Sequence, residues 1–202
     1  MATSQKENKH SFASIALVIV IFGGMAALAF IPVEIFQMVR LKEQEQIKSW
    51  LGQETDLWIM MKIVHLLQWA NNEASSSLDM MQISGNTKID GWVAQRLHAA
   101  LIWCHVVFYR GGFMLMWGVF AIPLLLAMYM DGHYQREKRK AMFSSQSPVM
   151  HKYGIDMMKG AVGVLILWIF IPWHITMLIA PLIYVSIGIA GWLWISNMQK
   201  RM

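Results

Sequence analysis

The stretch GAVGVLILWIFIPWHITMLIAPLIYVSIGIAGWLWIS, Gly160 to Ser196, decides the fold class of this chain, because it contains no charged residue. It is too long for one transmembrane helix, which needs about 20 apolar residues. Pro172, within IPWH, is expected to break it near the middle. Residues 160–202 are therefore predicted to form a transmembrane hairpin with a short tail. Ser147 followed by Pro148 is a favourable N-cap and first-turn pair, so the first arm is expected to begin there.

Two further uncharged stretches precede the hairpin. One runs from Ile15 to Val33, and the other, GGFMLMWGVFAIPLLLAMYM, runs from Gly111 to Met130. Both are long enough to span a bilayer. Ala27 to Ala29 resembles a signal-peptide cleavage site, but the apolar run continues past it, so we interpret the first stretch as an anchor. With 56% hydrophobic residues and a mean hydropathy of +0.42, the chain is predicted to be an all-α integral membrane protein with four transmembrane helices.

The basic residues orient these helices. Residues 1–14, 131–159 and 197–202 together carry ten Lys or Arg and four Asp or Glu, whereas residues 34–110 carry seven and eight. Because Lys and Arg accumulate in cytoplasmic segments, both termini are predicted to be cytoplasmic, and the chain is predicted to lie in a bacterial inner membrane. The predicted parts are 1–33, cytoplasmic tail and first transmembrane helix; 34–110, helical periplasmic region; 111–130, second transmembrane helix; 131–159, basic cytoplasmic loop; and 160–202, hairpin and tail.

The extracytoplasmic insertion between the first two transmembrane helices is also predicted to be helical. The segment EIFQMVRLKEQEQIKSW, which begins at Glu34, is expected to continue the first transmembrane helix as an amphipathic extension. Asp90 is suited to cap a helix that would run from Gly91 to Met130, a length of about 60 Å. We expect a kink at the Gly111–Gly112 pair, close to the point where this helix enters the bilayer.

Arg96 and Arg110 lie on one stripe of this predicted long helix, because fourteen residues are close to four helical turns. Arg110 stands where the apolar stretch begins, and a charge at the edge of a membrane usually has a partner. Glu34, at the end of the first transmembrane helix, is expected at a similar depth. We therefore predict an ion pair or a shared polar cluster between Glu34 and Arg110, with a snorkelling Arg110 as the alternative.

Two histidines allow an alternative function. His105 and His174 belong to different predicted helices near the outer leaflet and could ligate a haem iron. The simpler interpretation is that His105 is a packing residue and His174 a polar residue in the hairpin turn. The sequence contains no P-loop, GxSxG or HExxH motif and no acidic pair in an apolar stretch. It therefore favours a non-enzymatic protein without a cofactor, with a haem- or quinone-binding redox protein as the alternative.

A cluster of basic residues, REKRK, follows the second apolar stretch. Its cations are Arg136, Lys138, Arg139 and Lys140, and Glu137 and Asp131 lie among or near them. A cluster of this size is explained by membrane topology and by contact with anionic lipid headgroups. Specific binding of a nucleic acid is not expected.

The order of these motifs resembles a family of conjugative-element membrane proteins. It comprises RLHAALIWCHVVFYR (96–110), an apolar stretch, DGHYQREKRK (131–140), a Ser-Pro pair, HKYG, and a hairpin broken at IPWH. The family is encoded in integrating conjugative elements and related plasmids and is of unknown function. The resemblance covers about residues 92–200, and residues 34–90 give no comparable match. The positions that fill the family's pattern are Arg96, Arg110, Asp131, Gly132, Arg136, Arg139, Ser147 and His151.

The resemblance implies a role in DNA transfer by a type IV secretion system. Family members are encoded near the coupling ATPase, the motor that feeds DNA to the secretion channel. The expected function is therefore that of a non-enzymatic inner-membrane component, either a partner of the coupling ATPase or another accessory of the channel.

Overall fold

The computed structural model describes residues 12–81, 87–143 and 147–198, with side chains for 18–76, 91–143 and 147–198. Every regular element within these ranges is an α-helix, in agreement with the predicted fold class. The helices are α1 (Phe12–Phe30), α2 (Val33–Leu51), α3 (Gln53–Met81), α4 (Thr87–Ala141), α5 (Pro148–Phe170) and α6 (Ile179–Ser196).

Helices α4, α5 and α6 form a three-helix bundle. In it α6 packs along α4 and along α5, and each of the three helices is long and apolar enough to cross a membrane. Leu115, Val119 and Phe120 of α4 are 72%, 65% and 69% exposed, as expected for side chains that face lipid. The predicted hairpin is present, since α5 and α6 are separated by a turn over residues 171–178, which we call the turn end of the bundle.

The first helix does not continue into the second, so that expectation is wrong. The axes of α1 and α2 differ by 114° at a break after Phe30. Pro32 explains the break, because its ring removes a backbone donor and disfavours helical geometry at Ile31. The pair counts as a fourth candidate span only if the bent helices together form one broken span.

Helix α1 lies near the turn end of the bundle. Gly24 packs against the ring of Trp103 in α4, and Gly23 and Gly24 face residues 167–172 at the end of α5 across an apolar groove. The described part of α1 therefore lies beside the first half of α4 and the last turn of α5.

The long helix is confirmed and exceeds the prediction at both ends. With 55 residues, α4 is about 80 Å long and continues through residues 131–141, where a loop was predicted. The Gly111–Gly112 pair does not interrupt it. A Cβ atom on Gly112 would lie 3.0 Å from Ile59 and 3.3 Å from Ile63, so this glycine permits close packing of α3. Helix α3 runs antiparallel to α4. Its first turns, at Glu54 and Trp58, lie beside Met116 and Phe120, inside the first half of the apolar stretch.

Candidate functional site

Three arginines of α4 each bind backbone carbonyls at the C-terminal end of a different helix. Such carbonyls lack partners within their own helix and form the negative end of its dipole, so a cation is stabilising there. Arg96 binds the end of α1. Its Nη1 donates to the carbonyl oxygens of Leu28 at 3.3 Å and Ile31 at 2.9 Å. The two other arginines, Arg110 and Arg139, act in the same way at opposite ends of the bundle.

Arg110 is fully buried at the turn end. Its Nη1 donates to the carbonyl oxygens of Trp168 at 2.5 Å and Ile171 at 2.7 Å, and its Nη2 donates to that of Trp173 at 2.7 Å. The guanidinium carbon also lies 5.6 Å from the centre of the Trp168 ring, within reach of a cation–π contact. One side chain of α4 thus holds the last turn of α5 and the start of the turn to α6.

The acidic partner of Arg110 is Glu43 of α2, and not Glu34 as predicted. Nε of Arg110 donates to both carboxylate oxygens of Glu43, at 3.1 and 3.2 Å, and Nη2 lies 2.5 Å from Oε1. Burial raises the pKa of Glu43, and the hydrogen bonds and charge of Arg110 oppose that rise. Glu34 is exposed in the first turn of α2. It lies off the buried face of this helix, which after the bend at Pro32 is formed by Val33, Phe36, Val39, Glu43 and Ile47.

A second polar group lies next to this pair. The hydroxyl of Tyr109 donates to the buried carboxylate of Asp56 in α3 at 2.7 Å, and Lys48 of α2 lies 3.3 Å from the same carboxylate. His105 stacks on Tyr109 and lies 3.5 Å from the amide of Gln44. We call Glu43, Arg110, Asp56 and Tyr109 the buried polar cluster; Lys48 reaches Asp56 from the surface. The cluster connects α2, α3 and α4 with the turn end of the bundle.

The sequence carried a signal for Glu43 that the motif-based reasoning missed. Phe36, Val39, Glu43 and Ile47 are all buried and follow one another at helical spacing, so Glu43 interrupts the apolar stripe of α2. An acid on a buried stripe requires a cation. Arg110 is the cation that the fold supplies.

Family-pattern residues converge at the opposite end of the bundle, on the last turn of α6. Arg139 donates to the carbonyl oxygen of Ser196 at 3.2 Å and to the side-chain oxygen of Asn197 at 2.8 Å. The indole of Trp192 donates to the carboxylate of Asp131 at 2.6 Å. Residues 131–141 of α4, the first turns of α5 and the end of α6 form what we call the basic end.

At the basic end, the backbones of α4 and α5 come close to the backbone of α6. Gly132 is buried against the backbone of Trp192, where a Cβ atom would lie 3.3 Å from the carbonyl oxygen. Nδ1 of His151 is 3.2 Å from the carbonyl oxygen of Trp194, and Gly154 packs on the same turn. Four positions of the family pattern therefore contact α6 within residues 192–197.

The other residues of the basic cluster range from exposed to half-buried. Lys138 is exposed, and Lys140 pairs with Glu137 at 2.5 Å. Arg136 is half-buried, and its Nε has no hydrogen-bond partner among the described residues. Arg139 is thus the cation of this cluster that fixes the position of α6.

The two candidate haem ligands lie in different surroundings. His105 contacts Gln44 and Tyr109, whereas His174 lies beside Lys42 and Trp173 in an apolar cleft on α2. Burial, with the charges of Lys42 and Arg110, lowers the pKa of His174. Iron binding at His105 would require its imidazole to leave Gln44. An absorption spectrum of the purified protein without a Soret band would exclude the haem alternative.

Ser147 is confirmed as the N-cap of α5, where its hydroxyl accepts from the amide of Met150 at 3.4 Å and Pro148 occupies the first turn. We expect Ser147→Ala to lower the free energy of unfolding by about 1 kcal/mol, because an amide of the first turn loses its acceptor. Ser147→Asp should retain the stability, since aspartate caps equally well. Denaturant titration in detergent measures both. If Ser147→Asp retains stability but abolishes DNA transfer, the hydroxyl has a role beyond capping.

Over the residues that the structure describes, these contacts define a helical protein with three helices that could span a membrane, in which arginines of one long helix bind the ends of three others. The chain belongs to the family described as IncC plasmid conjugative DNA transfer protein DtrJ-like, whose model matches residues 12–199. The match confirms the resemblance to a conjugative-element family and extends it across residues 34–90. No curated protein and no solved structure is significantly similar to the chain. The protein accordingly has a role in conjugative DNA transfer.

Proposed function

We propose that the protein is a non-enzymatic inner-membrane partner of the coupling ATPase of a conjugative type IV secretion system. In this proposal α4, α5 and α6 cross the inner membrane, the basic end and both termini lie in the cytoplasm, and α2 and α3 lie in the periplasm. The observation that carries the proposal is the basic end itself. It is an extension of α4 beyond the apolar stretch, and Arg139 binds it to the end of α6.

The basic end has the properties of a rigid docking platform. A helical extension attached only through its own backbone would fray, whereas Asp131 and Arg139 hold this one to α6 at two points. His151 joins the start of α5 to the same end of α6. Cations that are not needed for these contacts, such as Lys138, remain available for anionic lipid headgroups or an acidic protein. A motor protein that works at the inner face of the membrane is the partner that such a surface fits.

The buried polar cluster supports a structural role for the opposite end. Its charged groups face one another, backbone carbonyls or Lys48, and its tyrosine hydroxyl is bound to Asp56. Among the described residues no group of three or more His, Cys, Asp or Glu is arranged to hold a metal ion. We therefore assign this cluster to holding the periplasmic helices on the bundle rather than to chemistry.

Affinity purification from detergent-solubilised donor cells tests the proposal. The coupling ATPase is expected to be recovered with the tagged protein and to be lost when the same tag is placed on an unrelated inner-membrane protein. Impermeant thiol reagents, applied to a Cys104→Ser background with single cysteines at Lys138 and Lys62, measure the orientation. Recovery of no secretion component, or labelling of position 138 from the periplasm, would contradict the proposal.

A further inference from the structure

Four exposed apolar side chains lie at the outer part of the basic end. Met142 and Phe143 follow the last residue of α4, and Val149 and Met150 lie in the first turn of α5. Their exposed fractions are 67%, 96%, 73% and 50%, respectively. We call these residues the apolar tip. Exposed apolar residues are ordinary on the lipid-facing surface of this molecule, but the tip is outside that surface.

The distance from the membrane follows from the length of the α4 extension. Asp131 is hydrogen-bonded to Trp192, and tryptophan concentrates at the membrane–water interface, so these residues mark the cytoplasmic edge of the hydrocarbon in the proposed topology. From Asp131 to Ala141 the helix rises about 15 Å. A headgroup layer is only about 5–8 Å thick. Met142 and Phe143, the part of the tip that follows α4, therefore lie in water beyond the lipid, and the bilayer does not account for their apolar surface. Val149 and Met150 lie nearer the headgroups, because the neighbouring His151 contacts the carbonyl oxygen of Trp194, less than one turn beyond Trp192.

Phe143 is unusual in its backbone as well as in its exposure. Its φ of +51° places it in the left-handed region, alone among the described residues other than glycine. This is the position after a helix at which glycine is preferred, because a side chain with a Cβ atom is strained there. The amides of Met142 and Phe143 close the end of α4 on the carbonyl oxygens of Lys138 and Lys140, at 3.0 and 3.3 Å. The strained backbone of Phe143 therefore lowers the stability of the protein. Its exposed side chain contributes no compensating burial.

The charges around the tip define the chemistry of a partner. Arg136, Lys138 and Lys152 lie on the adjoining turns of α4 and α5, and the nearby acid Glu137 is already paired with Lys140. The surface therefore combines an apolar centre with a basic surround. The complementary surface is an apolar pocket with Asp and Glu at its rim.

We propose that the apolar tip inserts Phe143 into an apolar, acid-rimmed pocket on a cytoplasmic protein of the transfer machinery. The identity of that protein as the coupling ATPase rests on the function proposed above. A strained and fully exposed aromatic residue has the character of an interface anchor, since a few buried aromatic side chains carry most of the binding energy in protein–protein contacts.

The test exploits the preference of the site for glycine. Phe143→Gly should leave the protein at least as stable as the wild type, because it relieves the backbone strain, and so loss of binding cannot be attributed to unfolding. Phe143→Leu is the matched control, because it keeps an apolar side chain at the same position. We expect Phe143→Gly to reduce recovery of the ATPase in affinity purification by at least about tenfold, as is typical for removal of an aromatic anchor. Phe143→Leu should retain most of it.

A photocrosslinking amino acid at position 143 identifies the neighbour in donor cells and separates the two proposals. A crosslink to the coupling ATPase supports both. A crosslink to a different transfer protein, with no recovery of the ATPase by the wild type, supports the tip and contradicts the proposed function. Equal recovery of the ATPase by wild type and Phe143→Gly overturns the proposed role of the apolar tip, while the proposed function stands. Crosslinks to lipid alone, together with weaker binding of Phe143→Gly to anionic vesicles, also overturn it.

Discussion

Replacement of Arg110 by methionine is expected to lower the free energy of unfolding by about 3–5 kcal/mol, the loss typical when one member of a buried ion pair is removed. Methionine fills a similar volume but donates no hydrogen bond. Glu43 would then be left as a buried carboxylate without its cation, and the carbonyl oxygens of Trp168, Ile171 and Trp173 would lose their donor. Denaturant titration in detergent, followed by tryptophan fluorescence, measures the change.

Three variants separate the causes of this loss. Glu43→Gln should cost less than Arg110→Met, because the amide oxygen still accepts from the guanidinium. The double variant Arg110→Met with Glu43→Gln should be more stable than Arg110→Met alone, since no buried charge is left uncompensated. Lys62→Met, at an exposed position of α3, is the matched control and should change stability by less than about 0.5 kcal/mol. A loss below about 1 kcal/mol for Arg110→Met would contradict the central role of this residue.

The location of Arg110 was predictable from the sequence, and its partners were not. A charge at the start of an apolar stretch implies a partner, and the sequence predicted Glu34, at the end of the first transmembrane helix, for that role. The prediction of Glu34 failed because it assumed that α1 continues straight into α2, whereas Pro32 turns the chain by 114°. Glu43 is the acid on the buried stripe of α2, and it is therefore the one that pairs with Arg110.

The bounds of the helices were predictable to different extents. The Ser147–Pro148 signal and the break at IPWH correctly located both ends of α5, since capping and proline effects are local. The continuation of α4 through 131–141 was missed because this charged segment was interpreted as a loop. Glu, Lys and Arg are nevertheless good helix formers. The arginine caps were not predictable, because backbone carbonyls at helix ends carry no sequence signature and their partners depend on the relative heights of the helices.

Substitution of Gly154 by leucine is expected to prevent stable packing of α5 on α6. A Cβ atom at this position would lie 2.7 Å from the backbone nitrogen of Trp194 and 3.0 Å from the carbonyl oxygen of Ala190. Both atoms belong to the backbone of α6, so neither can move aside as a flexible side chain would. Gly154→Ala should already cost about 1–3 kcal/mol, and leucine more, because the helices must separate to admit each added carbon.

Gly160 provides the matched control in the same helix. A Cβ atom there would meet nothing within 4 Å, so Gly160→Ala should be neutral, or stabilising by up to about 1 kcal/mol through its helix propensity. Stability measurements that place Gly154→Ala at the level of Gly160→Ala would contradict the close approach of α5 and α6. Separation of these helices would also move the carbonyl of Trp194 away from His151. Loss of DNA transfer in Gly154→Ala, with normal amounts of protein in the membrane, would therefore show that transfer depends on the geometry of the basic end.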